Sequence, residues 1–209
     1  MSASELLQRY LDECPLIAII RGVTPDEAEA IGEAIYEGGI RIIEVPLNSP
    51  DQLRSIELLA KRLGERALVG AGTVLAPEEV GRVKDVGGRI IVSPDTNTDV
   101  IAAAADAGIV SSPGYFTPSE GFAALRAGAH ALKLFPAEGA SPSVLKAQLA
   151  VFPKGTRVMA VGGIKPDNMR PWLDAGAIGF GLGSGLYKPG QSPAETLEKA
   201  RAYVAGVNE

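Results

Sequence analysis

Lys133 stands alone in an apolar run, Ala131-Leu132-Lys133-Leu134-Phe135-Pro136, whose composition predicts a strand buried on both faces. An ammonium group is costly to desolvate there, and burial disfavours its charged form, so the amine is expected to titrate toward neutrality. A free amine in a dry pocket is the nucleophile with which a carbonyl substrate forms a Schiff base. The plainer alternative is a lysine at a strand end whose ammonium reaches solvent or a carboxylate partner. Glu44, in Ile42-Ile43-Glu44-Val45-Pro46, is a second lone charge among apolar neighbours. Burial would raise its pKa and suit it to moving protons near neutral pH. Otherwise it is a packing partner of Lys133 or Arg21. Arg21, which ends the run Ile19-Ile20-Arg21-Gly22, reads either as a bidentate clamp on a substrate carboxylate or as the counter-ion of Glu44.

Two glycine-rich stretches offer a different chemistry. In Gly162-Gly163-Ile164-Lys165-Pro166-Asp167-Asn168 and in Gly181-Leu182-Gly183-Ser184-Gly185, backbone amides can approach an anion closely, and a short helix start would add its positive end. Ser184 would contribute a hydroxyl donor; tight turns are the alternative use of these glycines. Phe135, two residues beyond Lys133 on the same side of the strand, is placed to form an apolar wall. Metal catalysis finds no support: His130 is the only histidine, Cys14 the only cysteine, and no carboxylate cluster has ligand spacing. No cofactor is therefore expected. His130 reads as a packing or capping group before a strand, Cys14 as a buried hydrophobe, and Trp172 and Tyr187 as packing residues.

The elements that must position these residues alternate along the whole chain. Candidate strands are Leu16–Arg21, Arg41–Pro46, Ala67–Thr73, Arg89–Ser93, Ile109–Ser112, Ala131–Phe135, Arg157–Val161 and Gly179–Leu182. Between them, Thr24-Pro25-Asp26-Glu27, Ser49-Pro50-Asp51, Ala76-Pro77-Glu78-Glu79, Thr117-Pro118-Ser119-Glu120 and Ser141-Pro142-Ser143 carry helix-start chemistry. Helices end on Gly38-Gly39, Gly64, Gly87-Gly88, Gly108, Gly128 and Gly176. Eight strand–helix units without a linker predict a single (β/α)8 TIM barrel over residues 1–209, in the α/β class. A doubly wound open sheet is the rival, disfavoured because no G-x-G-x-x-G follows the first strand. Residues 1–12 predict an amphipathic N-terminal helix, with Leu6, Leu7 and Leu11 on one side. In such a barrel the chemistry gathers at the carboxyl ends of the strands. Arg21, Glu44, Thr73, Lys133, Gly162-Gly163 and Gly183-Ser184 all fall there, and it is this convergence that favours catalysis over packing.

Composition narrows the partners. The chain has 209 residues, a net charge of -5 and 46% hydrophobic content, with charges scattered rather than gathered into a basic stripe. Nucleic-acid binding is therefore not expected. No stretch approaches the roughly 18 apolar residues of a membrane span, and the N-terminus lacks the apolar core of a signal peptide. With one cysteine, a soluble cytoplasmic protein without an internal disulfide is expected.

The runs Ile19-Ile20-Arg21-Gly22, Glu44-Val45-Pro46-Leu47-Asn48-Ser49-Pro50, Gly70-Ala71-Gly72-Thr73-Val74, Leu132-Lys133-Leu134-Phe135-Pro136-Ala137 and Val161-Gly162-Gly163-Ile164 together resemble the class I aldolases of 2-keto-3-deoxy-6-phospho sugar acids. The resemblance spans nearly the whole chain in order. It implies a small, metal-independent and usually homotrimeric barrel acting on a phosphorylated keto-sugar acid. Residue by residue it implies Lys133 as the Schiff-base lysine and Glu44 as the general acid/base. Arg21 and Thr73 would contact the keto-acid end, and Gly162, Gly163, Gly183 and Ser184 the phosphate. Gluconate-type members look like E-V-T-L-R-T after the second strand and T-G-G at the seventh. Pro46-Leu47-Asn48-Ser49 and Val161-Gly162-Gly163 depart from both patterns and resemble the galactonate-type branch. That implies cleavage of 2-dehydro-3-deoxy-6-phosphogalactonate to pyruvate and D-glyceraldehyde 3-phosphate. The alternatives are the gluconate epimer, a barrel isomerase or synthase that uses the same site without a covalent step, and a phosphosugar-binding protein without activity.

Overall fold

The computed structural model describes residues 1–208. Its strands are β1 (Leu16–Ile19), β2 (Ile42–Pro46), β3 (Leu68–Gly72), β4 (Ile90–Val92), β5 (Val110–Ser112), β6 (Gly114–Tyr115), β7 (Leu132–Leu134), β8 (Val158–Val161) and β9 (Gly179–Leu182). They form one sheet in the order β5-β4-β3-β2-β1-β9-β8-β7-β6, with every pairing parallel. β5 and β6 are two halves of one stave. Pro113 interrupts it because proline has no amide to give the ladder. The amides of His130 and Lys133 donate to Ser111 and Pro113 at 2.9 and 2.8 Å, so the stave also bonds forward and the barrel closes. Eight staves result, as expected.

The two-residue period of a strand sorts the side chains. Ile43, Val45, Val69, Ala71, Leu132, Leu134, Val158, Ala160, Phe180 and Leu182 pack outward against the helices. Ile17, Ile42, Leu68, Ile90, Val110 and Met159 fill the barrel from inside. Glu44 shares the parity of Ile42, and Lys133 has the parity opposite to Leu132 and Leu134, so both project inward. α1 (Ala3–Glu13) closes the amino end of the barrel, with Leu7, Tyr10 and Leu11 buried on that inner cluster. Arg157 fastens it from below, donating to Gln8 Oε1 at 2.9 Å and Ser4 Oγ at 3.0 Å.

Most helix starts follow their expected chemistry. α2 (Pro25–Glu37), α4 (Pro77–Asp85) and α6 (Pro118–Arg126) open with proline, and Glu27, Glu79 and Glu120 reach back to the preceding amides. Ser141 caps α7 (Pro142–Val151) with its hydroxyl. The Ser49-Pro50-Asp51 start is corrected by the structure. The chain makes a turn there, Asp51 adopts φ 38°, and α3 (Gln52–Leu63) begins two residues after Pro50. Ser49 is buried and accepts from the Gly22 amide at 2.9 Å, tying the loop after β2 to the loop after β1. A tertiary contact has taken the hydroxyl that local patterning assigned to a cap.

Candidate active site

A cleft of about 540 Å³ opens at the carboxyl ends of the strands. Its lining includes Arg21, Thr73, Lys133, Phe135, Val161, Gly162, Gly163, Gly183 and Ser184. Glu44 lies beneath, facing Lys133 across a small gap walled by Ile19, Ser112, Val161 and Gly181. Every sequence-predicted site residue is thus gathered at one end of the barrel.

The floor of the cleft holds two charged side chains in an apolar setting. Glu44 is 2% exposed and Lys133 7%. Burial pushes the Glu44 carboxyl up to about 7, against the pull of Lys133 and then Arg21. Burial likewise holds the Lys133 amine below its usual range; Glu44 opposes that shift and Arg21 adds to it. Oε2 of Glu44 is buried without a hydrogen-bond partner, and among the described residues Glu44 forms no ion pair. Two groups locked together for packing would be expected to pair. A carboxyl titrating near neutrality beside a desolvated amine is instead suited to proton transfer. Lys133 Nζ stands 4.7 Å from the centroid of the Phe135 ring, so the expected apolar wall is present and shields the amine.

Space for the carboxylate comes from glycine. Where a barrel interior usually carries branched side chains, β3 places Gly70 and Gly72 and β9 places Gly179 and Gly181. A Cβ on Gly72 would overlap the Glu44 carboxylate itself.

Arg21 sits at the rim. Its Nη1 donates to Asn48 Oδ1 and, at 3.5 Å, to Thr73 Oγ1. Thr73 holds a left-handed backbone, φ 55°, which is uncommon for a β-branched residue and often seen at functional sites. Asn48 was legible in the sequence only as a missing arginine, not as the group that orients Arg21.

The opposite wall is made of backbone. Gly162 and Gly163 have φ 112° and 67°, a conformation that turns successive amides in a way side-chain-bearing residues resist. Among the described residues, the amides of Gly162, Gly163, Ser184 and Gly185 have no protein acceptor. Unpaired backbone donors lining one cleft are suited to holding an anion. One detail differs from expectation. No helix begins at Gly162-Gly163, since α8 (Arg170–Asp174) starts seven residues later. Asn168 shapes that loop instead, accepting from the Lys165 amide and donating to the Gly163 carbonyl, both at 2.9 Å. After β9 there is a single helical turn, closed by the Tyr187 amide on the Gly183 carbonyl at 3.1 Å.

Several lining residues escaped sequence reasoning. Lys165, Lys188, Glu138, Pro94 and Tyr203 all face the cleft. Tyr187, expected only to pack, is buried but lines the cleft too, with its hydroxyl unpaired and pushed up to about 12 by burial. His130 and Cys14 lie where expected: His130 Nδ1 accepts from the Ser111 amide at 3.1 Å, and Cys14 is buried next to β1. Among the described residues no group of three or more His, Cys, Asp and Glu gathers.

Comparison with known proteins agrees with this geometry. A family model described as KDPG and KHG aldolase matches residues 7–201. The chain is 46% identical to the 2-dehydro-3-deoxy-6-phosphogalactonate aldolase of Escherichia coli (strain K12), over 96% of this chain and 98% of that one. It is 48% identical to a probable enzyme of the same name in Rhizobium meliloti (strain 1021), over 92% and 91% of the two chains. Among solved structures, one described as native KDPGal superposes with a TM-score of 0.92 at 45% identity, covering 94% of this chain and 95% of the other.

Proposed function

Because the chain belongs to the KDPG and KHG aldolase family, and is therefore a carbon–carbon lyase, we propose that it cleaves 2-dehydro-3-deoxy-6-phosphogalactonate through a Schiff base on Lys133. The observation that carries the reading is the buried Lys133 amine facing an unpaired Glu44 carboxyl at the foot of a cleft whose rim presents backbone amides without acceptors.

Neutral Lys133 attacks the C2 ketone, and Glu44 relays the protons that convert the carbinolamine to the iminium with loss of water. The iminium is an electron sink for C3. Glu44 then takes the proton of the C4 hydroxyl, the C3–C4 bond breaks, and its electrons pass into the enamine as D-glyceraldehyde 3-phosphate leaves. Protonation of the enamine at C3 and hydrolysis release pyruvate and the free amine. Arg21, oriented by Asn48 and Thr73, meets the carboxylate at the keto-acid end. Gly162, Gly163, Gly183 and Ser184 take the phosphate, with Lys165 and Lys188 adding positive charge at the rim. Phosphate contacts made far from the breaking bond supply binding energy that holds C2 against Lys133. Phe135 and Val161 keep water from the amine. The galactonate epimer is favoured because Val161 and Asn48 stand where gluconate-type members look like threonine and arginine, and because both relatives above carry the galactonate name.

The whole activity would reside in one barrel acting as a homotrimer in the cytoplasm. The exposed apolar side chains Leu75 and Phe116 provide surface for such an assembly to cover. Among the described residues no helix is long and apolar enough to cross a membrane.

The test is peptide mass spectrometry after treatment with pyruvate and sodium borohydride. One reduced pyruvate adduct is expected, on Lys133, and none in Lys133→Met. A folded protein that gains no adduct would refute the covalent mechanism. Turnover of the galactonate and gluconate substrates, compared by pyruvate release, then decides the epimer.

A further inference from the structure

The two glycine loops belong to different staves, yet an anion cradle works only if their amides converge on one point. We propose that Tyr203 is the positioning residue that holds the two loops together as one cradle, an inference that rests on the phosphate reading above.

Tyr203 lies on α9 (Pro193–Asn208), far in sequence from the first loop, and is 4% exposed. Its hydroxyl donates to the carbonyl of Ile164 at 3.0 Å, fixing the chain directly after Gly162-Gly163. The same hydroxyl presses on the second loop, so closely that a Cβ on Gly185 would overlap it and would stand 3.4 Å from Cζ. One side chain therefore touches both halves of the cradle, by a hydrogen bond on one side and by packing on the other. α9 is held firmly enough to serve as a strut. One turn beyond Tyr203, Gly206 sits so near Pro166 that a Cβ would lie 2.8 Å from its Cα. On an adjoining face, Ala200 occupies the space above Gly38, and Val204 lies 3.2 Å from where a Cβ on Gly39 would be, so the helix is seated on the end of α2 as well. A loop preset by such a strut does not lose that conformational freedom when the anion binds.

The test uses the full chain, with 2-dehydro-3-deoxy-6-phosphogalactonate as substrate and inorganic phosphate as competitor. Tyr203→Phe keeps the ring and removes the tie to Ile164. KM and the phosphate inhibition constant should each rise about fivefold, the scale of one hydrogen bond, with kcat changed less than about twofold. Gly185→Ala sets a methyl group against the hydroxyl and should raise both constants further. Tyr203→Phe placed in the Gly185→Ala background should recover part of that loss, because the methyl then meets only Cζ at ordinary contact distance. The proposal is overturned if Tyr203→Phe lowers kcat and the thermal midpoint while leaving KM and phosphate inhibition unmoved, or if the Gly185→Ala defect ignores removal of the hydroxyl. Ser184→Ala separates the two levels of argument. If it raises KM while Tyr203→Phe does not, only the strut fails; if neither responds and phosphate does not inhibit, the phosphate reading itself fails.

Discussion

Gly72→Ala probes the proposed acid–base group without touching it. The methyl would land on the carboxylate of Glu44, overlapping both oxygens and the carbon between them. Gly72 has a negative φ, so alanine meets no backbone penalty and the whole effect falls on the neighbour. Glu44 borders a small gap walled by Ile19, Val92 and Val161, the space into which its carboxylate would be pushed. The carboxylate must move by roughly 1 Å or more, a displacement that typically lowers turnover about a hundredfold. Overpacking should cost about 1–3 kcal/mol of stability, which leaves a folded protein. The assay is steady-state pyruvate release, paired with borohydride trapping. The expected result is a kcat near that of Glu44→Gln, with Lys133 still trapped, though more slowly. The decisive comparison is the double variant with Glu44→Ala, in which no carboxylate remains to displace. There Gly72→Ala should cost little further activity, because neighbouring sites that act as a unit are not additive. A full hundredfold loss from Gly72→Ala in that background, or near-normal kcat in the single variant, would refute the reasoning.

Other outcomes are specific enough to check. Burial raises the Glu44 carboxyl from 4.5 to about 7, so its contribution to stability is fully present below pH 4.5 and is lost as pH rises through 7. Relative to Glu44→Gln, the wild type should lose roughly 1–3 kcal/mol over that window, read by urea unfolding at pH 4.5 and 7.5. A constant difference between the two proteins would remove the pKa argument. Asn48→Ala frees Arg21 to wander, and KM for the keto acid should rise about tenfold with kcat nearly kept, the scale of a charge-assisted hydrogen bond. An unchanged KM would leave Thr73 as the sole orienting group. Leu7→Ala opens a cavity under the barrel floor and should cost about 2–5 kcal/mol by denaturant midpoint, while kcat at 25 °C stays within about twofold. A catalytic defect in folded protein would show that α1 does more than plug the barrel.

The sequence by itself determined the eight staves and most of the helices between them, and it singled out the residues proposed to carry the chemistry, because these depend on local signals. Strand parity turns Glu44 and Lys133 inward, proline and acidic residues mark helix starts, and glycine marks their ends. A lone charge in an apolar run is legible without coordinates, since burial there has a cost whatever the partner. Only the tertiary structure decided what those residues meet. Ser49 left its expected cap for the Gly22 amide, Asn48 became the acceptor for Arg21, and Gly72 proved to be the space that Glu44 occupies. Tyr203 reached the loop after β8 from the last helix. Each of these contacts joins residues distant in sequence, brought together by the parallel pairing of β1, β2 and β3 or by the docking of α9 on the loop after β8. No periodicity or spacing encodes which side chains will touch across those staves, because that is set by packing of the whole sheet.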